Sequence, residues 1–399
     1  MSLDRRNVVR MGIGFTAAAL ATGCAGLERT RLGRSPLIDD TETARVLASA
    51  DAWINQVPIT ITSYTAPRSP GGRHAYYSEG DYWWPDPGDP AAPFIRRDGL
   101  SNPDRFDAHR QALIRLSLAV PALAAAWMVS GARRYADAAE RHLTAWFVTP
   151  GTRMAPHLEH AQAIIGHNTG RGIGIIDTLH LVEVALAAAI LPLRKSLHTR
   201  LQKWFADYLN WMWTSPNGIA ERDEKNNHGS CYTLQVAAFA RLTGNPSLIA
   251  WCRGTLVETL VANQIAADGS QPLELARTKP YGYSLFNLDV LAGLAHLAAP
   301  GDASIWRARP RAGGGSLADA LSYMVPFIAD KQAWPHARDV EYWDQWPVRH
   351  PALLVGGTTL SMPAFVGLWQ RLDPAPTVPE IIRNYPLRQP MIWFNAPMN

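Results

Sequence analysis

Apolar residues recur every three to four positions along most of the chain after residue 104, which is the spacing of α-helices with a buried face. Short polar connections separate the apolar segments, and Gly131 and Gly244 stand where one helix is expected to end and the next to begin. Such connections make consecutive helices antiparallel neighbours. The pattern predicts helices over residues 41–56, 104–129, 132–148, 175–190, 194–214, 230–242, 246–266, 284–298, 316–330 and 355–372.

The segment of residues 57–103 shows no sustained period and is rich in proline, glycine, tyrosine and tryptophan. Residues 57–65 could form a short strand, but no alternating run is long enough for the core of a sheet. A loop of this length inside a compact protein usually has a function. The sequence thus predicts an all-α protein built from antiparallel helical hairpins, with a proline-rich tail after Leu372 that packs back on the body.

The beginning of the chain has the features of a bacterial export signal. Arg5 and Arg6 form a twin-arginine pair, residues 11–20 are apolar but too few to span a bilayer, and Cys24 ends a stretch that resembles a lipobox. We expect a periplasmic protein, exported by the twin-arginine route and anchored by lipid on Cys24; the alternative is a plain cleaved signal with an accidental cysteine. The predicted organisation is a signal peptide over 1–24, a linker over 25–40 and a single domain over 41–399.

The composition is that of an ordinary globular protein, with 399 residues, of which 47% are hydrophobic and 18% charged. The formal net charge of +4 is small for this length, and no basic run alternates with aromatic residues, which argues against a nucleic-acid partner. A mild positive balance suits an anionic substrate, although it is equally normal for an exported protein. Cys231 and Cys252 are expected to be free buried thiols, because in a helical hairpin they would lie about 20 Å and about 10 Å from the turn.

Two polar stretches carry candidate chemistry. Residues 221–230 combine several charges, two amides and an imidazole directly before an apolar helix. Residues 274–288 place Arg277, Tyr281 and Tyr283 in a loop that also leads into a helix. One histidine, one asparagine, one arginine and one tyrosine are sufficient to remove a proton beside a carboxylate and to expel a neighbouring oxygen.

The sequence Asn226-Asn227-His228 before an apolar helix, followed by an arginine and tyrosine pair, resembles the alginate lyase superfamily of polysaccharide lyases. Further stretches resemble its subgroup of polymannuronate and glucuronan lyases. The resemblance implies an incomplete (α/α) toroid and a cofactor-independent enzyme that cleaves an anionic uronate polysaccharide by β-elimination to 4,5-unsaturated oligosaccharides. The stretches that carry this second resemblance are residues 77–86, 96–99, 168–172 and 342–347.

A β-elimination sets three tasks: the uronate carboxylate is neutralised, the C5 proton is accepted, and the leaving O4 oxygen is protonated. His228 is the candidate for the first or the second task, since imidazole titrates near neutrality; the alternative is a capping or core histidine. Asn227 resembles the carboxylate-binding amide of the family. Either Asn227 or Asn226 could instead cap the following helix.

Tyr283 best matches the catalytic tyrosine of the family, and Arg277 is the cation that would lower its pKa. Tyr281 is the rival tyrosine, and the spacing does not decide between the two. Asn168, with Arg171 in a glycine-rich turn, is a second amide candidate, although the glycines there also have a simple turn explanation.

Aromatic and basic residues of the long loop and of residues 342–349 are expected to line the substrate groove. Aromatic rings can stack on sugar faces and arginines can bind carboxylates in bidentate fashion, although any one of these residues could equally hold the loop onto the body. No metal site is expected, because the histidines are scattered. The predicted substrate-binding residues are Tyr82, Trp83, Trp84, Arg96, Arg97, Arg171, Asn226, Tyr281, Trp343, Trp346 and Arg349.

Several alternatives stay open at this stage. In mannuronate and glucuronate the C5 hydrogen and O4 lie on one face of the ring, whereas in guluronate they lie on opposite faces, and the residues present suit either case. A glycoside hydrolase would need an acid and base pair of carboxylates, and a periplasmic polysaccharide-binding protein would need neither His228 nor Tyr283. A monomer is expected. Carboxylates available to a hydrolase are Glu79, Asp81, Glu221, Asp223 and Glu224.

Overall fold

The fold is described from a computed structural model, which covers residues 40–385 and 387–395. The predicted signal peptide, Cys24 and the linker up to residue 39 lie outside the described residues. From Thr43 onward the chain forms one compact unit.

Helices account for most of the described chain, as the apolar period predicts. A 3-10 segment, Gly172–His180, leads directly into one of the helices, and a π-helical segment, Leu256–Val261, continues another. The helices are α1 Asp40–Asp51, α2 Ala108–Ser130, α3 Arg133–Phe147, α4 Leu181–Ile190, α5 Lys195–Thr214, α6 Pro216–Arg222, α7 Asn227–Thr243, α8 Pro246–Thr255, α9 Ala262–Gln264, α10 Pro272–Leu275, α11 Pro280–Ala298, α12 Ala303–Arg307, α13 Leu317–Ala329, α14 Pro351–Thr359, α15 Pro363–Arg371, α16 Pro379–Arg383 and α17 Pro390–Asn395.

An inner series of helices forms the core. Helix α2 packs against α4, α4 against α7, α7 against α11, and α11 against α14, while α3, α5, α8 and α15 pack outside as hairpin partners. The side chains of α7 and α11 are buried on nearly every side, as expected for helices enclosed by other helices. This arrangement is an (α/α) toroid and confirms the predicted all-α fold.

Strands are few and short. β1 (Tyr77–Glu79) pairs in parallel with β4 (His160–Ala163), and β2 (Trp83–Trp84) pairs antiparallel with β3 (Ile95–Arg96). The strand considered over residues 57–65 is wrong: this segment contains a 3-10 turn, Ile61–Ser63, in which the Thr60 side chain accepts a hydrogen bond from the Thr62 backbone. β1, β2 and β3 all lie in the aromatic-rich loop, and the pairing of β1 with β4 ties this loop to the segment after α3.

Several helix boundaries differ from the predicted ones because of local caps. Asn226 caps α7, so this helix begins at Asn227, and α11 begins at Pro280 rather than at residue 284. The predicted helix over 355–372 is two helices, since Pro363 starts α15. The shifts place His228 and Tyr283 inside the first turns of their helices.

Two further sequence expectations are met in the core. Cys231 and Cys252 are both free and buried, as predicted. The C-terminal tail packs back on the body, where α17 contacts α2 and α4. Helix α2 and the segment Gly172–Ile190 are apolar and long enough to cross a membrane, but 72% and 78% of their apolar windows are buried inside the protein, as in core helices.

Candidate active site

The first turns of α7 and α11 meet the loop that carries β2 at a cavity of about 270 Å³. His228 and Asn227 enter it from α7, Tyr283 from α11, and Tyr82 from the loop. The wall opposite comes from the segment Gly172–His180 and from the C-terminal tail. Other lining residues are Asp81, Trp83, Arg96, Arg110, Gln162, Arg171, Asp177, His180, Glu224, Asn226, Arg277, Phe286, Arg383 and Asn384.

The two adjacent asparagines divide the roles that the sequence left open. The Asn226 side-chain oxygen accepts the backbone N–H of His228 at 3.0 Å, so Asn226 is the N-cap of α7. The Asn227 side-chain amide instead donates to Glu274 Oε2 at 2.7 Å, while the Asn227 backbone N–H donates to Oε1 at 2.8 Å. Glu274 thus fixes the orientation of the Asn227 amide, and burial raises the pKa of this carboxyl despite both hydrogen bonds.

His228 is paired with a buried carboxylate. Its Nδ1 lies 2.9 Å from Glu221 Oε1, and Glu221, in the last turn of α6, has no exposed surface. Burial by itself would lower the pKa of His228, but the negative charge and hydrogen bond of Glu221 outweigh it and raise the pKa above its ordinary value. Burial also raises the pKa of the Glu221 carboxyl. The imidazole therefore favours its charged form more than a free histidine does.

Tyr283 carries a hydroxyl with two polar neighbours. The Tyr82 hydroxyl lies 2.8 Å away, and Arg277 Nη2 donates to the Tyr283 oxygen at 3.1 Å while its guanidinium lies 4.3 Å from the ring centre. Burial raises the pKa of Tyr283 more than Arg277 and Tyr82 lower it, so the resting group is a phenol. Both neighbours are oriented to stabilise the oxyanion when the proton leaves.

Arg277 is also tied to the aromatic-rich loop. Its Nη2 donates to Asp98 at 3.2 Å, and the neighbouring Thr278 hydroxyl donates to the other Asp98 oxygen at 3.1 Å. Arg96 binds the same carboxylate at 2.6 Å. Asp98 therefore holds two cations at the cavity edge and joins the loop to the segment before α11.

A buried ionic cluster forms the floor of the cavity. Arg110, Arg105 and Arg383 all contact Asp81, at 2.6, 2.7 and 2.6 Å, and Arg110 also contacts Asp177 at 3.1 Å. Burial alone would raise the pKa of Asp81, but the three arginines hold it well below its usual range. This cluster fixes the loop after β1 against α2 and the tail.

Nine of the predicted site residues line the cavity, and their placement brings both polar stretches together. Tyr281, the rival tyrosine, lies outside, with its hydroxyl bonded to the Phe327 carbonyl and its ring packed on Trp343 and Trp334. The residues within the cavity wall are Tyr82, Trp83, Arg96, Arg171, Asn226, Asn227, His228, Arg277 and Tyr283.

The remaining predicted residues have other surroundings. Asn168 is exposed and its side-chain oxygen closes a turn by accepting the Ile164 N–H. Trp84 bonds to the Leu100 carbonyl and lies under Arg97. Arg349 stacks on Trp369, and Trp346 is buried against His350. None of these residues is part of the cavity wall.

Three contributors were not predicted from the sequence as parts of such a site. Glu274 and Glu221 stand inside the two polar stretches, but their pairing with Asn227 and His228 depends on helix starts that the apolar period does not reveal. Arg383 lies in the tail and has no local signal at all. Of the carboxylates named for a hydrolase, Glu79 and Asp81 are held by arginines, Glu221 is paired with His228, and Asp223 is exposed.

No group of three or more histidine, cysteine, aspartate or glutamate side chains suited to a metal occurs within residues 40–385 and 387–395. The polar groups of the cavity instead bind one another, in pairs drawn from different segments. Together the site offers an imidazole whose pKa is raised by a buried carboxylate, a fixed amide, a phenol beside a guanidinium, and further arginines.

Comparison with known proteins identifies the family. The sequence profile described as alginate lyase matches residues 60–334, well over half of the chain. An alginate lyase from Bacteroides ovatus has a similar crystal structure, with a TM-score of 0.77 and 31% identity over 90% of this chain and 94% of that one. No curated protein sequence matches the chain.

More distant structures share the fold. Alginate lyase A1-III from Sphingomonas species A1 is 12% identical, over 82% of this chain and 89% of that one, with a TM-score of 0.50. A histidine-to-alanine variant of A1-III in complex with a tetrasaccharide gives 0.52 at 12% identity, over 82% and 88% of the two chains. The family profile and the Bacteroides structure confirm the resemblance seen in the sequence: the chain belongs to the alginate lyase family and is a polysaccharide lyase.

Proposed function

We propose that this lyase cleaves the mannuronate blocks of alginate by β-elimination with one-sided (syn) proton transfer. The observation that carries the proposal is the Tyr283 hydroxyl, which lies within hydrogen-bond distance of Tyr82 and Arg277 in a cavity shared with His228 and Asn227. A single hydroxyl can both accept the C5 proton and protonate O4 only when the C5 hydrogen and O4 lie on the same side of the ring. Mannuronate meets that condition and guluronate does not.

The positive charges that line the cavity favour the binding of an anionic sugar. Arg171 contacts only the backbone and side-chain oxygens of Gln162, at 3.0 and 3.1 Å, so its positive charge has no carboxylate partner among the described residues. Burial lowers the pKa of Arg171 to about 10, which leaves it charged at neutral pH. Arg96 lies at the cavity edge with half of its surface exposed. These arginines can bind the carboxylates of neighbouring sugars.

The division of tasks follows from the charges. The His228 imidazolium and the Asn227 amide neutralise the carboxylate of the sugar that is cut, which makes its C5 proton acidic. Tyr283, a phenol at rest, first gives its hydroxyl proton to solvent, and the resulting phenolate, stabilised by Arg277 and Tyr82, takes the C5 proton. The electron pair of the C5–H bond forms the C4=C5 double bond, the C4–O4 bond breaks, and the same proton passes from Tyr283 to O4, which restores the phenolate.

An alternative uses the same number of protons, with neutral His228 as the base and the Tyr283 phenol as the acid. The two states differ only in where one proton resides, so the pH dependence of wild-type activity alone does not separate them. The alternative needs groups on opposite sides of the sugar and therefore suits guluronate. The pairing of His228 with Glu221 favours the first division, because it keeps the imidazole charged.

The test is to incubate the purified protein separately with polymannuronate, polyguluronate, glucuronan and hyaluronan. Ultraviolet absorbance follows the conjugated double bond of the products, and a reducing-sugar assay follows new chain ends. We expect absorbance to rise fastest with polymannuronate. A faster rise with polyguluronate would contradict the one-sided mechanism, and new reducing ends without absorbance would contradict β-elimination altogether.

We also propose that the protein acts in the periplasm after twin-arginine export and lipid attachment at Cys24. The basis is the order of the first 24 residues. Expression with radiolabelled palmitate, followed by fractionation, tests this: the label and the membrane association should both disappear in Cys24→Ser. A wild-type protein that takes up no label and is recovered in the soluble periplasm would contradict the lipid anchor.

A further inference from the structure

Glu221 is a buried carboxylate whose surroundings offer it one titratable partner. It has no exposed surface, Oε1 lies 2.9 Å from His228 Nδ1, and Oε2 has no hydrogen-bond partner within the described chain. Within the same residues, no lysine or arginine forms an ion pair with it. A buried carboxylate without a cation is strongly disfavoured, so the proton of the neighbouring imidazole is what stabilises it.

We infer that Glu221 is a positioning residue for the lyase reaction: it binds His228 through Nδ1–H, leaves Nε2 as the nitrogen available to substrate, and keeps the imidazole charged opposite the uronate carboxylate. The inference rests on the proposed function, because the charged imidazole matters for a substrate with a carboxylate at the reacting sugar. Glu221 itself does not need to touch the sugar.

The backbone of α6 supports this assignment, because it is packed closely against its neighbours on two sides. The segment Gly172–His180 approaches α6 so closely that a Cβ at Gly172 would lie 2.8 Å from the Asn217 oxygen and 3.1 Å from the Glu221 nitrogen. On the side towards α5, a Cβ at Gly218 would overlap the Met212 carbonyl oxygen. Two glycines thus allow the approach that brings Glu221 under His228.

Other charged groups around His228 modify the pairing without replacing it. Glu224, after α6, and Glu274, in α10, add negative charge. Arg277 and Tyr283, from the α11 side, and Arg171 and Asp177, from the segment around Gly172–His180, line the same cavity. Of these groups, Glu221 alone is hydrogen-bonded to the imidazole within the described residues.

The direct test is nuclear magnetic resonance titration of the His228 ring in the free protein, which needs no substrate. Glu221→Gln keeps the size of the side chain and an oxygen that can accept the Nδ1–H bond, but removes the charge. We expect the pKa of His228 to fall by about one unit or more. Asp223→Asn removes the same charge from an exposed position and should leave it nearly unchanged. An unchanged His228 pKa in Glu221→Gln would overturn the inference.

Kinetics then show what the charge does. If the active form has charged His228 and ionised Tyr283, lowering the pKa of His228 by one unit moves the acid limb of kcat/KM down by one unit, lowers the plateau about tenfold, and leaves the rates below that limb unchanged. A purely structural role of Glu221 would reduce the rate without moving the limb. If His228 were the base, the limb would move without a matching loss at the plateau.

A failure of the proposed function can be distinguished from a failure of this inference. A wild-type protein without lyase activity would contradict the proposed function, while the titration would still report on the pair. If Glu221→Gln does not fold, the wild-type titration decides alone: a His228 pKa at or below about 6.5, the ordinary value, would overturn the inference.

Discussion

At the scale of single residues, each group assigned to the chemistry is held by a partner from another part of the chain. Glu274 orients the Asn227 amide, Glu221 binds His228, and Tyr82 and Arg277 contact the Tyr283 hydroxyl. Partners of this kind fix the orientation of a side chain before substrate arrives, which lowers the cost of reaching the transition state. The reactive groups are therefore pre-organised.

The pKa shifts predict an alkaline activity optimum. The pKa of His228 is raised above its ordinary value of about 6.5, and that of Tyr283 above about 10. Between these two pKa values, His228 and Tyr283 together carry one titratable proton, which is the form that reacts. We therefore expect kcat/KM to rise as pH passes the pKa of His228 and to fall as it passes the pKa of Tyr283. Initial rates on polymannuronate over this range check the prediction. An optimum below about pH 6 would contradict both assignments.

The residues that carry the chemistry could be predicted because they stand together in the sequence. His228, Asn227, Arg277 and Tyr283 lie in two short polar stretches next to helices, and the resemblance of these stretches to the family indicated which residues carry the chemistry. Asn168 satisfied the same criteria but closes a turn. Pairing between segments, as between Arg383 and Asp81, has no trace in local sequence, because 302 positions separate the two residues.

At the scale of helices and loops, close approach of backbone segments sets the geometry of the cavity. Gly172→Ala would place a Cβ 2.8 Å from the Asn217 oxygen and 2.9 Å from the Ala220 Cβ. We expect α6 to be displaced, with a loss of about 1 to 3 kcal/mol in the free energy of unfolding and a marked loss of kcat. Urea denaturation and polymannuronate assays measure the two effects.

Gly254→Ala provides the matched control, since nothing lies within 4 Å of the added Cβ and the site is within α8. Alanine is the better helix former, so this variant should gain up to about 1 kcal/mol and keep full activity. Equal behaviour of the two variants would contradict the account of α6.

The loop around Asp339 is attached to the helix that carries Tyr283. Its carboxylate accepts the backbone N–H groups of Tyr281 and Gly282 at 2.8 and 2.9 Å, and burial raises its pKa to about 6. Because this pKa exceeds the unfolded value of about 3.9, the stabilisation is complete below about pH 4 and is lost as pH rises through about 6. We expect wild type to lose about 2 kcal/mol relative to Asp339→Asn across this window.

Chemical denaturation of both proteins at several pH values measures that difference. If the difference in free energy of unfolding between the two proteins is the same from pH 4 to pH 7, the raised pKa of Asp339 is contradicted. A difference that changes with pH as expected but is shifted by a fixed amount at every pH reflects only the altered hydrogen bond.

The apolar pattern predicted the major helices because outer helices such as α3 have one apolar face, while core helices such as α11 form long, almost continuous apolar runs. It missed their starting points, since Asn226 caps α7 and Pro280 starts α11, and both depend on local chemistry rather than on period. The short strands β1 and β4 were also missed, because pairs this short show no alternation.

At the scale of the whole molecule, the C-terminal tail packs on α2 and α4 and reaches the active site. Glu183, in the middle of the core, accepts three hydrogen bonds from it, from the backbone of Arg388 and Gln389 and from the Trp393 indole. The same tail brings Arg383 to the cavity floor. The sequence predicted that the tail packs on the body, but not that it completes the site.

Glu183→Leu should therefore release the tail. Three buried donors would lose their acceptor, which we expect to cost about 2 to 4 kcal/mol and to open Arg383 and Arg388 to trypsin. Limited proteolysis followed by mass spectrometry detects the shortened chain, with the exposed Glu258→Leu as control. A tail that stays resistant in Glu183→Leu would show that other contacts hold it.

The central claim is that the hydroxyl of Tyr283 transfers the proton in a uronate lyase reaction. The most direct measurement compares initial rates of unsaturated product formation from polymannuronate by wild type, Tyr283→Phe and Tyr281→Phe. Both variants lose one buried hydroxyl, but that of Tyr281 bonds to the Phe327 carbonyl outside the cavity. We expect kcat to fall at least about a hundredfold in Tyr283→Phe and to stay near wild type in Tyr281→Phe. Near-wild-type kcat in Tyr283→Phe would contradict the claim.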